Sequence, residues 1–138
     1  PHRLEWLTSV NGVDWINDSK GTHVAATVAA IKGLKRPVIL IAGGIAKDAD
    51  FSPLRETAGQ HVKAVILIGR DAGKIADVLT GEVPVKMASD MDEAVCKGAA
   101  MAQAGDVVLL SPACASFDMY QNFEHRGDDF RRCVGGLN

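Results

Sequence analysis

Pro37-Val38-Ile39-Leu40-Ile41-Ala42 is an unbroken apolar run that ends at Gly43-Gly44. A run of this kind, without polar alternation, suits a strand covered on both faces, as in a parallel sheet flanked by helices. Two more runs repeat it: Ala64-Val65-Ile66-Leu67-Ile68 before Gly69, and Asp106-Val107-Val108-Leu109-Leu110 before Ser111. Helical spacing of apolar residues predicts helices over 22–34, 52–59, 72–79 and 89–105. Thr22 or Ser19 is expected to cap the first and Gly33 to end it. Ser89 is expected to cap the fourth, with Asp92 three residues on, and Gly105 to end it. Met91, Ala94, Val95, Ala99 and Ala102 should turn inward. Residues 83–88 read as a short edge strand because Pro84 lacks an N–H donor. A final helix is predicted over about 123–134.

At the start of the chain, strand-like residues 4–10 and 13–17 flank Asn11-Gly12, the preferred pair for a two-residue hairpin turn. Trp6 and Trp15 are expected to pack in the core or across strands. Strands alternating with helices give an α/β fold. The expectation is one three-layer, Rossmann-like domain, its sheet mostly parallel, with the hairpin adding antiparallel strands at one edge.

The 138 residues fit one domain, and 47% hydrophobic with 23% charged residues is ordinary for a soluble globular chain. A formal charge of -2 argues against a nucleic-acid partner. No apolar run approaches the roughly 20 residues that span a bilayer, and no signal peptide is visible. Cys96, Cys114 and Cys133 form an odd set without metal-ligand spacing, which points to reduced thiols and a cytoplasmic location. The four histidines are scattered, so no metal site is expected. The chain opens at Pro1 without a methionine, and is expected to be a piece of something longer.

Three loops leave the ends of strand-like runs: Asn17-Asp18-Ser19-Lys20-Gly21-Thr22, Gly43-Gly44-Ile45-Ala46-Lys47-Asp48 and Ser111-Pro112-Ala113-Cys114-Ala115-Ser116. In open α/β sheets such loops line the ligand crevice. Lys20, Thr22, Lys47 and Ser116 supply ammonium and hydroxyl donors, and helix N-termini after Ser19 and Ser116 would add backbone N–H groups. The pattern predicts a site for a small, multiply anionic molecule. Asp18 could cap the following helix, accept from a ribose hydroxyl, or orient Arg3. Arg126 and Asp128 are expected to form a solvated ion pair or a cap.

Other chemistry is poorly supported. Gly69-Arg70-Asp71-Ala72-Gly73-Lys74 is one residue short of a phosphate loop, and Ile75 follows its lysine where a hydroxyl is needed. No G-x-G-x-x-G follows a strand. Cys114 has no histidine placed by sequence to activate it and reads as packed and inert. Ser111 and Ser116 lack the G-x-S-x-G elbow.

The exact strings go further. Pro1-His2-Arg3-Leu4-Glu5, Gly12-Val13-Asp14-Trp15-Ile16 running into Asn17-Asp18-Ser19-Lys20-Gly21-Thr22, Gly43-Gly44 with Lys47-Asp48-Ala49-Asp50-Phe51-Ser52, Leu109-Leu110-Ser111-Pro112-Ala113-Cys114-Ala115-Ser116-Phe117-Asp118, and Asn122-Phe123-Glu124-His125-Arg126-Gly127-Asp128 together resemble the Mur ligases over the whole chain. The Asn-Asp-Ser-Lys-x-Thr and Ser-Pro-Ala-Cys-Ala-Ser strings favour members that add D-glutamate. The resemblance implies the C-terminal, amino-acid-binding domain (1–138), with the N-terminal uridine-nucleotide domain and the central ATP-binding domain outside this chain.

It also implies ATP-dependent amide formation in peptidoglycan synthesis. The carboxylate of UDP-N-acetylmuramoyl-L-alanine is phosphorylated and the D-glutamate amine attacks the acyl phosphate. By resemblance Thr22 and Lys47 hold one part of D-glutamate, and Ser116 with the backbone around Phe117 and Phe123 holds its side-chain carboxylate. Lys20 lies between D-glutamate and the reacting phosphate as the catalytic lysine, and Arg3 and Asp18 meet ATP. Mg2+ and most of the ATP belong to the central domain, so the fragment is expected to be inactive alone. Two alternatives are a sibling ligase for another amino acid and a stand-alone dicarboxylate-binding module. His23 departs from the asparagine common in the family, and Ile45-Ala46 from a more glycine-rich stretch. The latter leads one to expect a differently shaped Lys47 loop, since alanine resists positive φ.

Overall fold

The computed structural model describes residues 1–137. Strands β1 (Glu5–Val10), β2 (Val13–Asn17), β3 (Val38–Gly43), β4 (Val62–Ile68), β5 (Val85–Met87) and β6 (Val107–Leu110) form one sheet in the order β1-β2-β6-β3-β4-β5. Helices α1 (Val24–Leu34), α2 (Ser52–His61), α3 (Ala72–Leu79), α4 (Met91–Met101) and α5 (Phe123–Gly135) connect and follow them. All strand pairs are parallel except the β1–β2 hairpin at one edge. β5, with Pro84 just before it, is the other edge. The expected architecture is the one found.

The apolar runs work because their residues alternate between two covered faces. Val38, Leu40 and Ala42 face the layer of α1, α2 and α3, with Leu54, Ile75 and Leu79. Ile39 and Ile41 face the layer of α4 and α5, with Met91, Val95 and Phe130. Val38 through Ala42 are all fully buried. β6 returns from the far edge to sit between β2 and β3, so the carboxyl ends of β2, β6 and β3 emerge side by side.

Several element ends differ from the sequence reading. Neither Thr22 nor Ser19 caps α1. His23 is its N-cap in an extended conformation, without a side-chain cap bond, because Ser19 is engaged elsewhere, its Oγ donating to the Phe123 carbonyl at 2.6 Å. Gly33 stays inside α1, and the reversal falls on Lys35 at φ 53°. Asp90 rather than Ser89 caps α4, accepting from the Glu93 amide at 2.8 Å. The Ser89 hydroxyl instead donates to the Glu93 carboxylate. α4 stops at Met101, ahead of Gly105, and turns Gly98 inward in place of Ala99. A Cβ at Gly98 would lie 3.3 Å from Val108, which explains the small residue there.

The two tryptophans diverge. Trp15 is 1% exposed and packs against Phe130. Trp6 lies on the edge strand, 59% exposed, not in the core. Its indole N–H donates to Asp14 Oδ1 at 3.2 Å. Asp14 also accepts from Ser9 and, at 2.5 Å, from Arg36, which in turn donates to the carbonyls of Gly105 and Asp106. This cluster ties the hairpin to the α1–β3 and α4–β6 turns.

The Ser9 hydroxyl, then Arg36 and Trp6, hold the Asp14 carboxyl down at about 2, against about 3.9 in an unfolded chain. The native state therefore binds fewer protons in that window. The stabilisation is complete above about pH 4 and is lost as pH falls toward about 2. Asp14→Asn should lower stability at neutral pH by about 1 kcal/mol, as befits a partly exposed pair. Urea unfolding should show the gap to the parent closing between about pH 4 and pH 2.

Candidate functional site

The three loops singled out in the sequence meet at the carboxyl ends of β2, β6 and β3. Ile45 and Ala115 exchange backbone hydrogen bonds at 2.9 and 3.2 Å, and the Ala113 amide donates to the Gly21 carbonyl at 2.8 Å. Gly43 (φ 121°) and Gly44 (φ 139°) make this possible. A Cβ on them would fall 1.9 Å from the Ile68 carbonyl oxygen and 2.2 Å from that of Ala115, in a region side chains disfavour.

The predicted site residues divide between two clefts. The larger, about 700 Å3, is lined by Thr22, Lys47, Ser116, Phe117 and Phe123, along with His23, Asp50 and Glu124. Lys47 Nζ lies 5.8 Å from the Phe117 ring centroid, within cation–π range. Phe117 is 63% exposed, so its side chain forms rim rather than floor. α1 begins at Val24 on this cleft, and its N-cap leaves first-turn N–H groups free of any side-chain acceptor. The second expected helix N-terminus is displaced: after Ser116 the chain makes a turn, and α5 starts only at Phe123, capped by Asn122.

The smaller cleft, about 310 Å3, is lined by Arg3, Leu4, Asp18, Lys20 and Gly21. Lys20 thus stands apart from Thr22 and Lys47, across Gly21. Asp18 does not cap α1. Its Oδ1 accepts from the Leu4 amide at 3.1 Å and its Oδ2 from Ser111 Oγ at 2.7 Å. Burial raises its pKa, against the opposing pull of Ser111, Leu4 and Arg3. Asp18 therefore fixes the segment that carries Arg3.

Arg126 overturns its sequence reading. It forms neither a surface ion pair nor a cap: it is 1% exposed. Its guanidinium donates to Ser19 Oγ at 3.0 Å, the Ser19 carbonyl at 2.9 Å and the Cys114 carbonyl at 3.0 Å. Burial lowers its pKa to about 10, so it remains charged at neutral pH. One side chain of α5 thereby binds the loop after β2 to the loop after β6. The signal was present in the chain: Arg126, Phe130, Cys133 and Val134 share the buried stripe of α5. His2 was likewise missed as an anchor. It is buried, contacts Asn17 Nδ2 at 3.0 Å, and fills the space where a Cβ on Gly127 would lie 2.1 Å from its Nδ1.

The Lys47 loop carries its left-handed residues at Lys47 (φ 45°) and Asp48 (φ 59°), not at Ala46, so the Ile45-Ala46 departure is accommodated without strain on the alanine. Cys114 is 1% exposed and burial pushes its thiol up to about 12, leaving no nucleophilic thiolate at neutral pH. Among the described residues no group of three or more His, Cys, Asp or Glu side chains could hold a metal ion, and no helix is long and apolar enough to cross a membrane.

A mostly parallel sheet with lysine-bearing clefts at its strand ends defines an α/β domain of the kind whose ligand crevice lies there. The family model described as "Mur ligase, glutamate ligase domain" matches residues 2–114, and the chain belongs to that family. It is 57% identical over 136 residues to the UDP-N-acetylmuramoylalanine--D-glutamate ligase of Nitrosococcus oceani, covering 97% of this chain and 30% of the relative. The enzyme of that name from Bordetella avium is 58% identical over 132 residues, covering 94% and 26%. The chain thus spans about a third or less of the curated relatives it matches. Among solved structures, a domain from a Haemophilus ducreyi protein described as a UDP-N-acetylmuramate:L-alanyl-gamma-D-glutamyl-meso-diaminopimelate ligase has the same fold. It superposes with a TM-score of 0.64 at 17% identity, covering 96% of this chain and 99% of that one. A Mycobacterium tuberculosis folylpolyglutamate synthase complexed with ADP gives 0.68 at 13%, covering 100% and 33%.

Arg126→Ala would leave buried carbonyls of Ser19 and Cys114 without donors. We expect a stability loss of about 3 kcal/mol in urea unfolding. Arg126→Lys should recover only part of it, because an ammonium cannot reproduce the fork geometry.

Proposed function

We propose that this chain is the amino-acid-binding, C-terminal domain of an ATP-dependent ligase that joins D-glutamate to UDP-N-acetylmuramoyl-L-alanine in the cytoplasm. The observation that carries this reading is the larger cleft, where Thr22, Lys47 and Ser116 from three loops surround one space beside the start of α1. D-Glutamate has two carboxylates, and the cleft offers an ammonium, two hydroxyls and free helix N–H groups at separate points of its wall. Binding both carboxylates fixes the direction of the amine, which is the gain that orientation supplies to amide formation.

In this reading the smaller cleft faces the nucleotide. Arg3 and Lys20 carry the positive charge there, and Asp18 holds the segment bearing Arg3. ATP supplies the phosphoryl group that activates the acceptor carboxylate. Its phosphate cradle and Mg2+ site would lie in the remainder of the enzyme, in keeping with the failed phosphate loop in this sequence. Lys20, on the smaller cleft next to Gly21, would stabilise charge as the amine displaces phosphate.

In the full-length ligase carrying this domain, Lys47→Ala should raise the KM for D-glutamate by about tenfold to a hundredfold, the loss of one charged contact or two. The KM for ATP should stay within about twofold. Equal effects on both would remove Lys47 from the amino-acid pocket. The isolated domain should release no phosphate from ATP when given both substrates, and calorimetry should find only weak D-glutamate binding. Tight binding by the isolated domain would favour a free-standing dicarboxylate module.

A further inference from the structure

The Gly69–Lys74 segment fails as a phosphate loop, yet it is built into the site from behind. Asp71 is the N-cap residue of α3, where a carboxylate ordinarily accepts from the first-turn amides, but it makes no such bond. Its Oδ2 instead accepts from the Ala46 amide at 2.8 Å, the residue before Lys47. Its own amide donates to the Gly44 carbonyl at 3.0 Å. The side chain is only 9% exposed, with Arg70 at 3.4 Å and Lys74 at 3.6 Å. The Ala46 amide, more than these cations, holds the carboxyl below its usual range.

The neighbouring residue grips the opposite wall. The Arg70 amide donates to Asp118 Oδ2 at 2.8 Å, next to Phe117. Gly69, at φ 87°, lets the turn approach: a Cβ there would fall 2.7 Å from Asp118 Oδ2 and 2.8 Å from Gly44 Cα. One turn after β4 therefore holds both the Lys47 loop and the Ser116–Phe117 loop while lining neither cleft. The Lys47 loop needs such a hold. Lys47 and Asp48 both adopt left-handed backbone, which side chains disfavour and which persists only where surrounding contacts impose it.

The geometry points to Asp71 as a positioning residue that sets where Lys47 meets the amino acid without touching substrate. This rests on the larger cleft being the amino-acid pocket, so the experiment includes a control for that reading. In the full-length ligase, Asp71→Ala should raise the D-glutamate KM about tenfold and leave the ATP KM within about twofold. Asp71→Asn keeps an oxygen that can accept from Ala46, and should restore the D-glutamate KM to within about threefold of the parent.

Lys47→Ala is measured alongside. If it leaves the D-glutamate KM unchanged, the pocket reading fails. If it raises that KM while Asp71→Ala does not, the positioning role is overturned and the pocket stands. A rise in both KM values for Asp71→Ala, or no recovery with Asp71→Asn, also overturns the role. Should Asp71→Ala fail to fold, Asp71→Ser gives the same comparison, since its shorter hydroxyl falls short of Ala46.

Discussion

Backbone packed against backbone at the carboxyl ends of the central strands is the constraint on which the rest depends. Gly43 and Gly44 have no room for a Cβ because the Ile68 and Ala115 carbonyl oxygens occupy it, and Gly69 presses on Gly44 in turn. This closeness lets Ile45 and Ala115 pair as a short antiparallel bridge outside the sheet proper. It brings Lys47 and Ser116, some seventy residues apart in sequence, onto one cleft. Larger residues at the three glycines would push the loops apart and open the cleft before any ligand contact was altered.

Electrostatics follow from that packing. Two buried charged groups behind the clefts are satisfied by protein dipoles rather than by a counter-ion. Arg126 is held by two carbonyls and a hydroxyl, and Asp18 by an amide and a hydroxyl. A buried charge that is hydrogen-bonded in this way is tolerated, whereas one left bare is not. Among the described residues, Arg3, Lys20 and Lys47 make no salt bridge within 4.0 Å, so the site's cations remain available to an anion.

The layer structure and the buried strands were legible because continuous apolar runs and helical periods report burial directly, whereas the insertion of β6 between β2 and β3 was not. Pro37–Ala42 needed no tertiary information to be read as a doubly covered strand. Cap positions were less legible because several side chains can serve. Asp90 took the place expected of Ser89, and Ser19 was drawn to α5. Arg126 was misread because charge type outweighed position: on the helix it falls in register with Phe130 and Cys133, and position was the better guide. The site loops were legible as a set, but their division into two clefts was not. Gly21 separates Lys20 from Thr22, and the direction each side chain takes depends on the tight turn there. A Cβ on Gly21 would lie 2.6 Å from Ser111 Oγ, so that turn exists only in the folded context.

That division has a consequence for how such a domain works. One cleft presents Lys47 and the start of α1; the other presents Arg3 and Lys20. Both are open on one side, and their cations meet water there. An ammonium at an open surface binds a carboxylate weakly, since the ion pair gains little over hydration. The same contacts strengthen when a second surface closes over them and lowers the local dielectric. In the proposed ligase, then, the amino acid and the nucleotide each need the opposite domain for tight binding. Each in turn favours the closed arrangement that the other requires. The bracing of the loops by Arg126 and Asp71 fits this division of labour. A half-site that must meet its complement repeatedly gains from walls that keep their spacing while open. The mobility required for closure can then reside between domains, and the cleft itself can stay rigid.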